Sequence, residues 1–424
     1  MVSQLPGSGG TMIKLKVGNA GINRAILGVL IWLLAFQRPL EEVNDLFSWI
    51  DEAVALLGIA CCFVYFIPSP KLRVSRNTFC IIVAMAVFVA VGLAGNILFQ
   101  YQPLAAVVLD LFTNLKFFCA ILAGYCLFGS MDWTRNREYI AGCARTITLI
   151  LFCIFLLDRV FNFYPAEVRY GIKSAVLFFA HPTYLAGSMA FLLVLMTVSY
   201  EKKNLPYLVM ATIMMAFTLR SKAIASALVF VVLFVMLVLL KKELKLRHLI
   251  LLGGVCLAIG SPLIYFYYIK LAGRGTRAVL TSLSFTVMRD HFPIGAGFGT
   301  YASSAANKYF STVYKLYDLE YLLRFDGQWR SFLSDTFWPI IIAQNGIIGL
   351  LAFLSVLCLL LKRCFSLQSA SRCEFAGALY VFVYLIISST SEPAFHNAVA
   401  IPLALVLGIL FAKASQEYKG AKNV

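Results

Sequence analysis

The sequence predicts an all-α polytopic membrane protein with about twelve transmembrane helices and one long external loop. Of its 424 residues, 61% are hydrophobic and 13% are charged, whereas roughly 25% are charged in soluble domains. Apolar runs of about 20 residues recur along most of the chain, and each is long enough to cross a bilayer as a helix. The connections between these runs alternate between basic and non-basic composition, which is typical of a chain that crosses the membrane repeatedly.

Hydropathy divides the chain into two tails, two groups of spans and a loop. We predict a tail over 1–21, nine spans within 22–268, the long loop at 269–335, three spans within 336–412 and a second tail over 413–424. The individual spans are predicted at 22–37, 48–67, 79–98, 104–128, 139–160, 175–199, 204–219, 222–240, 248–268, 336–361, 375–390 and 396–412.

The basic connections all fall on one predicted side of the bundle. They include the segments KLRVSR, TRNR, EKK and KKELKLR. Because basic connections are retained in the cytoplasm during insertion, this pattern predicts an even number of spans with both termini cytoplasmic. The formal net charge of +16 is then a topology signal, and no nucleic-acid partner is expected.

The eleven cysteines lack C-x-x-C spacing and lie mostly inside apolar runs. They are therefore interpreted as small packing residues, and neither a disulfide framework nor a metal site is expected. No cofactor is predicted.

A second group of cations lies on the opposite, predicted external side. It consists of Arg169, Lys173, Arg220, Lys222, Arg274, Arg277 and Arg289. Positive charge in these positions opposes the insertion bias and needs an anionic partner near the membrane, so it predicts an anion-binding site. Pairing with Asp158, Glu167 or Asp290, or snorkelling to the interface, is the alternative interpretation.

The loop over 269–335 is too long to be a simple connection. Its tyrosines are candidate sugar-binding residues because aromatic faces with polar edges suit sugar rings, and packing of the loop onto the bundle is the alternative. These candidates are Tyr301, Tyr309, Tyr314 and Tyr317.

The segment GAGFGTY places glycines at 295, 297 and 299. A dinucleotide site needs a preceding strand, and a P-loop needs Gly-Lys-Ser/Thr, so a nucleotide site is not predicted. We interpret the glycines as a tight turn at the membrane surface.

Four segments, in this order, resemble the superfamily of bacterial O-antigen ligases and Wzy-type polysaccharide polymerases. They are RYGIKSAVLFFAHPTYLAG (169–187), TLRSKAIASALV (218–229), GRGTRAVLTSLSFTVMRDHFPIGAGFGTY (273–301) and FLSDTFWPIIIAQNGIIGLLAF (332–353). The resemblance covers roughly residues 165–360 at the level of motifs.

The resemblance implies an inverting, metal-independent glycosyltransferase of the GT-C type. Such an enzyme acts on undecaprenyl-pyrophosphate-linked glycans at the outer face of the bacterial cytoplasmic membrane. The implied partners are these lipids, membrane lipid, and a chain-length regulator and flippase of the same pathway.

The family uses arginines in two external loops, each followed by a glycine at a fixed spacing. Here Arg169 to Gly187 and Arg277 to Gly295 each enclose seventeen residues, which keeps the paired form but departs from the shorter family spacing.

Ligases of this superfamily carry a His-Asn pair ahead of the helix that follows the long loop. This chain has Asp335 and Thr336 there, which favours a polymerase over a ligase.

The resemblance implies two sets of site residues. The predicted pyrophosphate ligands are Arg169, Arg220 and Arg277, followed by Arg289, Lys222 and His181; arginine suits this role because its planar fork binds phosphate oxygens in pairs. The acceptor hydroxyl needs a general base, and the candidates are Asp335 first, then His291, Asp290 and Glu320.

A transporter of lipid-linked glycan and a non-catalytic partner of an export complex are the alternative functions. A transporter is expected to have repeated halves, discontinuous spans and buried charges near the midplane. Asp110 and Lys116 do lie within the fourth predicted span, and their spacing predicts partners on other helices. The other unusual charges are concentrated on one face, which favours chemistry at that face.

Overall fold

The computed structural model describes residues 20–66, 75–129, 131–245, 275–323 and 332–422, together with the isolated positions 247–248, 253–254 and 265. Within them the regular secondary structure is almost entirely helical. The first helices are α1 (Ala20–Ala35), α2 (Gln37–Val43), α3 (Ile50–Phe66), α4 (Arg76–Phe99), α5 (Leu104–Phe128) and α6 (Trp133–Phe161). A short antiparallel hairpin follows, formed by β1 (Val168–Arg169) and β2 (Ile172–Lys173).

The remaining helices are α7 (Pro182–Val198), α8 (Leu205–Phe217), α9 (Ser221–Phe234), α10 (Thr276–Asp290), α11 (Ser304–Lys308), α12 (Thr312–Leu316), α13 (Leu319–Leu323), α14 (Trp338–Phe365), α15 (Arg372–Ser389) and α16 (Ala400–Lys422). Short 3₁₀ turns occupy Asp45–Trp49 and Lys202–Asn204, and a π-helical turn extends α9 over Val235–Leu239.

The chain is a multi-pass membrane protein by the length and composition of its helices. Six described helices are long and apolar enough to cross a membrane: α4, α5, α6, α9 with its π turn, α14 and α15. Helices α1, α7 and α16 are shorter and apolar. Each predicted span coincides with a described helix, except that the one at 248–268 lies largely outside the described residues.

The polar connections lie at two ends of the bundle. We call the end that holds segments 36–50, 100–103, 162–181, 218–221 and 390–399 the loop face, and α10 to α13 lie on this side. The other end holds segments 199–204, 240–245 and 366–371, and we call it the basic face. The first two segments contain several lysines, and Lys362, Arg363 and Arg372 flank the third. All the predicted site residues belong to the loop face.

Local sequence explains where the membrane helices begin and end. The Ser75, Asp132 and Ser371 side chains accept hydrogen bonds from backbone N–H groups in the first turns of α4, α6 and α15, and they satisfy donors that a helix leaves open. Gln100 and Asn162 end α4 and α6 in the left-handed region, with φ of 50° and 58°. These two residues turn the chain from the ends of α4 and α6 into the loop-face connections.

Small residues allow the central helices to approach closely. A Cβ added at Gly124 of α5 would lie 2.2 Å from the Leu405 carbonyl oxygen of α16, and one at Gly408 would lie 2.0 Å from the Ile121 oxygen. In a membrane, where apolar burial contributes little to helix association, such close packing stabilises helix pairs. Helix α5 therefore lies at the centre of the bundle, against both α3 and α16.

The predicted long loop is a folded layer that begins with α10. After α10, residues 295–303 are all buried, and we call 293–301 the glycine segment. The buried side chains of this layer continue into those of Ile340 and Ala343 on α14, so the layer packs on the bundle as part of it. Arg274 lies outside the described residues.

Helix α14 is interrupted at Gly346, whose φ of 59° and ψ of −162° are not helical. The break frees backbone carbonyls, and the glycine segment uses them: the Ala296 and Gly297 N–H groups donate to the Ala343 and Gln344 oxygens at 2.9 and 2.8 Å. Because a buried carbonyl needs a partner, the interruption and the glycine segment depend on each other.

Candidate functional site at the loop face

Arg220 and His181 meet where α7 and α9 begin. Arg220 directly precedes α9, and its Nη2 lies 3.1 Å from His181 Nε2. His181 precedes Pro182 and caps α7, because its Nδ1 accepts from the Thr183 N–H at 3.2 Å. Proline at the first helical position suits such a start. The cap fixes the imidazole ring against α7 with its second nitrogen toward Arg220.

The two contacts of His181 cannot both be hydrogen bonds to a neutral ring. Its side chain is exposed at the loop face, yet partial desolvation, and then Arg220 and Lys222, lower its pKa to about 4, so the ring is neutral near pH 7. A neutral imidazole has one acceptor and one N–H. The contact with Thr183 requires the ring proton on Nε2, whereas acceptance from Arg220 requires it on Nδ1, so the ring can accept from only one of these two donors. An anionic oxygen placed here can accept from Arg220, and also from Nε2 when that nitrogen carries the proton.

Glu167 links this pair to Arg169. Its Oε2 accepts from Arg169 Nε at 2.9 Å and lies 3.5 Å from Arg220 Nη2. The hydrogen bond to Arg169, and then the charge of Arg220, lower the pKa of Glu167. The short β1–β2 hairpin places Arg169 at the end of this row, and its tight turn uses the left-handed conformations of Tyr170 and Gly171.

Two further ion pairs come from distant parts of the chain. Lys222 Nζ on α9 lies 2.6 Å from the Oε2 of Glu392, in the connection between α15 and α16. Arg277 at the start of α10 donates to the carboxylate of Asp335, which lies just before α14. Glu392 is buried, and this burial raises its pKa despite the opposing effect of Lys222.

Electrostatic contacts join these pairs to His181. Asp335 and Lys222 both act on the pKa of His181, and Asp335 also acts on that of Glu392. We call the group the loop-face cluster, and its members are Glu167, Arg169, His181, Arg220, Lys222, Arg277, Asp335 and Glu392. Four cations face three carboxylates around one neutral imidazole. Six of the predicted site residues are therefore brought together, and the arrangement can hold a polyanion against fixed positive charge.

Two other cations of the predicted external side are paired with carboxylates, as the alternative to an anion-binding role expects. Lys173 pairs with Asp158 at 3.0 Å, and Arg289 pairs with Asp290 at 3.1 Å. The Arg289 side chain is 77% exposed. Since Arg289 and Arg277 are twelve residues apart on one helix, their backbones are about 18 Å apart along its axis. Arg289 therefore lies well away from the Arg277 end of the cluster.

The three other candidate bases lie in different surroundings. Both ring nitrogens of His291 have partners, the Val287 carbonyl at 2.9 Å and the Tyr101 hydroxyl at 3.1 Å. Asp290 accepts from Tyr317 Oη at 2.9 Å, and this bond, followed by the contact with Arg289, lowers its pKa. Glu320 is exposed on α13. The prediction of a base role for these residues gains no geometric support from contact with the loop-face cluster.

The four tyrosines divide into buried and accessible rings. Tyr301 and Tyr314 are 0% and 1% exposed. The Tyr301 hydroxyl donates to the Leu280 carbonyl, and that of Tyr314 accepts from the Ala302 N–H. A sugar could reach them only after this layer rearranged. Tyr309 and Tyr317 keep accessible surface, so the predicted sugar-binding role fits these two positions.

The glycine segment forms the turns that its sequence predicts, and its residues 295–301 are buried within the protein. Gly295, Gly297 and Gly299 have φ of 78°, 96° and 74°. Added Cβ atoms would lie 2.4 Å from Gly346 N, 2.5 Å from Asn96 N and 3.0 Å from the Ala106 oxygen, respectively. The segment is thus inserted between α4, α5 and α14, because glycine lets the three backbones meet.

Buried polar side chains hold the inserted segment from α5. The Asp110 carboxylate accepts from the Gly299 N–H at 2.9 Å, and it also contacts Ser303 and Gln344. Lys116, six residues further along α5, instead pairs with Asp51 of α3. The prediction of partners on other helices is confirmed for Lys116 by Asp51 of α3 and for Asp110 by Gln344 of α14. Asn114, also on α5, has its Oδ1 3.2 Å from Nε2 of His396 in the connection 390–399.

Sequence reasoning missed Glu392 and Arg38. Glu392 is the one carboxylate of the connection 390–399, and a lone acidic residue on a face rich in unexpected cations is the signal that could have identified it. Arg38 lies over the Tyr184 ring at 4.7 Å, and that ring contacts His181. Nothing in the local sequence of α2 indicates this contact.

Comparison of the sequence with protein-family models finds no match, and comparison with curated proteins finds none either. The geometry of the loop-face cluster is therefore the basis for any functional conclusion.

Proposed function

We propose that this chain polymerises undecaprenyl-pyrophosphate-linked oligosaccharide repeat units at the outer face of the bacterial cytoplasmic membrane. In this proposal it is a metal-independent, inverting glycosyltransferase with twelve spans, a GT-C-like fold and both termini in the cytoplasm. The basic face is cytoplasmic, in agreement with retention of basic connections there. The loop face is then external, where lipid-linked glycans are joined.

One observation carries the proposal: the loop-face cluster gathers four cations from three separate segments. Arg169, Arg220, Lys222 and Arg277 come from the hairpin, the start of α9 and the start of α10. Their carboxylate partners leave positive charge in excess. A leaving lipid pyrophosphate develops negative charge in the transition state, and fixed cations stabilise it without reorganisation.

His181 and Arg220 supply the most specific part of the proposed pyrophosphate site. A phosphate oxygen that accepts from Arg220 lets the neutral ring keep its Nδ1 bond to Thr183, and an Nε2 proton can then be donated to the same anion. Arg277 keeps its bond with Asp335 and donates to phosphate through its other N–H groups when substrate binds. Tyr309 and Tyr317 then lie on the same side of the membrane, where they are available to the glycan.

The test is an elongation assay with purified protein in liposomes and a lipid-linked repeat unit. Wild-type protein is expected to give a ladder of longer glycans. Arg220→Ala and Arg277→Ala are expected to lose it, while Arg289→Ala keeps it, because Arg289 lies at the opposite end of α10 from Arg277 and pairs with Asp290. Arg169→Ala is expected to have a smaller effect, since Arg169 contacts the cluster through Glu167 alone among the contacts described. Full elongation by both Arg220→Ala and Arg277→Ala contradicts the proposal.

One observation favours a transporter as a second candidate. Helix α14 is discontinuous at Gly346, and discontinuous helices with nearby buried charges form the substrate sites of many transporters. The same liposomes distinguish the two functions. Movement of the lipid-linked unit across the bilayer without elongation indicates transport, and transfer of glycan to a lipid A core indicates a ligase.

A further inference from the structure

Two ion pairs of the loop-face cluster differ in how they can handle a proton. Asp335 is paired with Arg277, and arginine stays protonated at every accessible pH. Glu392 is paired with Lys222 at 2.6 Å, and a partly buried lysine can change its protonation state, which an arginine cannot. A carboxylate beside arginine is a fixed ion pair, whereas a carboxylate beside lysine belongs to a pair that can gain or lose a proton.

Glu392 is also the more enclosed of the two carboxylates. Its side chain is 11% exposed, against 31% for Asp335. Burial in a low-dielectric site makes a carboxylate a stronger base. Glu392 thus combines enclosure with a partner that does not hold it permanently as an anion.

The backbone around Glu392 is held on both sides. The Glu392 N–H donates to the Ser388 carbonyl at 3.1 Å, and its own carbonyl accepts from the Ala394 N–H at 2.7 Å. The Ser388 side chain also contacts the carboxylate. A general base must be held in place relative to the group that it deprotonates, and these contacts fix the position of Glu392 at the end of α15.

We infer that Glu392, paired with Lys222, is the general base of the proposed transfer, in place of Asp335. This inference rests on the proposed function. The Glu392 carboxylate takes the proton of the acceptor hydroxyl as the acceptor oxygen bonds to the anomeric carbon. The bond from that carbon to the phosphate oxygen breaks, and its electron pair leaves with the lipid pyrophosphate. Glu392 then releases the proton to solvent, and Asp335 positions Arg277.

The charged and titratable groups around Glu392 set its pH dependence. They are Lys222 from α9, Asp335 before α14 with Arg277 behind it, and Tyr384 from α15. Burial raises the pKa of Glu392, Asp335 raises it further, and Lys222 opposes both. The elongation rate should therefore fall with acidity at a pH above the ordinary glutamate value of about 4.3.

The first experiment compares elongation by wild type, Glu392→Gln, Glu392→Asp and Asp335→Asn across pH. Glu392→Gln is expected to lower kcat by about 10²-fold or more with little change in KM, and to lose the acid limb of the pH profile. Glu392→Asp should recover part of the rate. Glu42→Gln, which changes an exposed carboxylate of the same face, is the control. A Glu392→Gln rate within a few-fold of wild type, or an acid limb that disappears in Asp335→Asn instead, overturns the inference and leaves the polymerase proposal standing.

The second experiment needs no substrate. Infrared difference spectra recorded during acidification of the full-length protein should contain a protonated-carboxyl band that Glu392→Gln removes and Asp335→Asn keeps. Lack of that band overturns the inference directly. If the band is present and wild-type protein does not elongate lipid-linked glycan, the proposed function fails, and the general-base role fails with it.

Discussion

Asn96 of α4 pairs with the backbone of Phe298 through both atoms of its amide. Its Oδ1 accepts from the Phe298 N–H at 2.8 Å, and its Nδ2 donates to the Phe298 carbonyl at 2.9 Å. The two residues are 202 positions apart. One side chain thus satisfies both backbone polar groups of Phe298, a buried residue that lies outside any helix or strand.

Asn96→Ala should therefore destabilise the protein strongly. It leaves one buried donor and one buried acceptor without a partner, at about 1–3 kcal/mol each. The thermal midpoint in detergent is expected to fall well below that of Asn77→Ala. Asn77 lies on the same helix and donates a single 3.4 Å hydrogen bond to Leu359. Equal midpoints for the two variants would show that the Phe298 pairing does not hold the segment.

Alanine substitutions at Gly297 and Gly171 distinguish the effect of backbone strain on stability from the effect of packing. Both have positive φ, 96° and 76°. An alanine at either position destabilises the fold by about 1–2 kcal/mol, because its Cβ opposes the left-handed backbone conformation. A Cβ at Gly297 would lie 2.5 Å from the Asn96 nitrogen, whereas one at Gly171 meets nothing within 4 Å. Gly297→Ala is thus expected to unfold at a clearly lower temperature than Gly171→Ala. Similar decreases in unfolding temperature for the two variants would mean that α4, α5 and α14 can move apart to accommodate the added Cβ.

The sequence predicts the helices better than it predicts their interruptions. Apolar runs of sufficient length identify the positions of α4, α5 and α6 because burial in lipid requires them. The break at Gly346 is not visible, since "AQNGIIG" differs little from an ordinary apolar span. The break is stabilised by hydrogen bonds from residues about 50 positions earlier, and local propensity contains no information about such partners.

The candidate site was also predictable from the sequence only in part. Cations on the face that should lack them led to Arg220, Lys222 and Arg277, because topology makes them costly there. Glu392 escaped notice because a single glutamate in a connection is ordinary until its neighbour is known. Tyr301 and Tyr314 looked like ligand-binding residues because the segment appeared to be an exposed loop, whereas they form the core of a packed layer.

His181 should give the protein a distinctive acid sensitivity. Its folded pKa of about 4 lies below the ordinary value of 6.5. Between these values the unfolded chain binds more protons than the folded one, so stability rises with pH through this window and is lost as pH falls. His181→Asn keeps an N-cap residue for α7 and does not titrate. The thermal midpoint of wild type should fall more between pH 6.5 and pH 4 than that of the variant. Parallel curves would contradict the lowered pKa.

The Arg277–Asp335 pair allows function to be separated from stability. Its side chains are 38% and 31% exposed, and a solvent-accessible ion pair contributes about 1 kcal/mol or less. Arg277→Ala should therefore leave the thermal midpoint nearly unchanged while elongation falls about 10²-fold or more, since a cation that stabilises the leaving group is removed. Arg277→Lys should recover little, because lysine lacks the planar fork.

Exchanging the two charges sharpens this test. The variant that combines Arg277→Asp with Asp335→Arg preserves the attraction between positions 277 and 335 but moves the cation to the start of α14. If Arg277 acts only by pairing with Asp335, the exchange restores elongation. If Arg277 contacts the pyrophosphate, the exchange keeps the thermal midpoint of wild type and remains inactive, because phosphate then meets a carboxylate at position 277. Restored elongation would place the catalytic cations elsewhere in the cluster, with Arg220 and Lys222 as the remaining candidates.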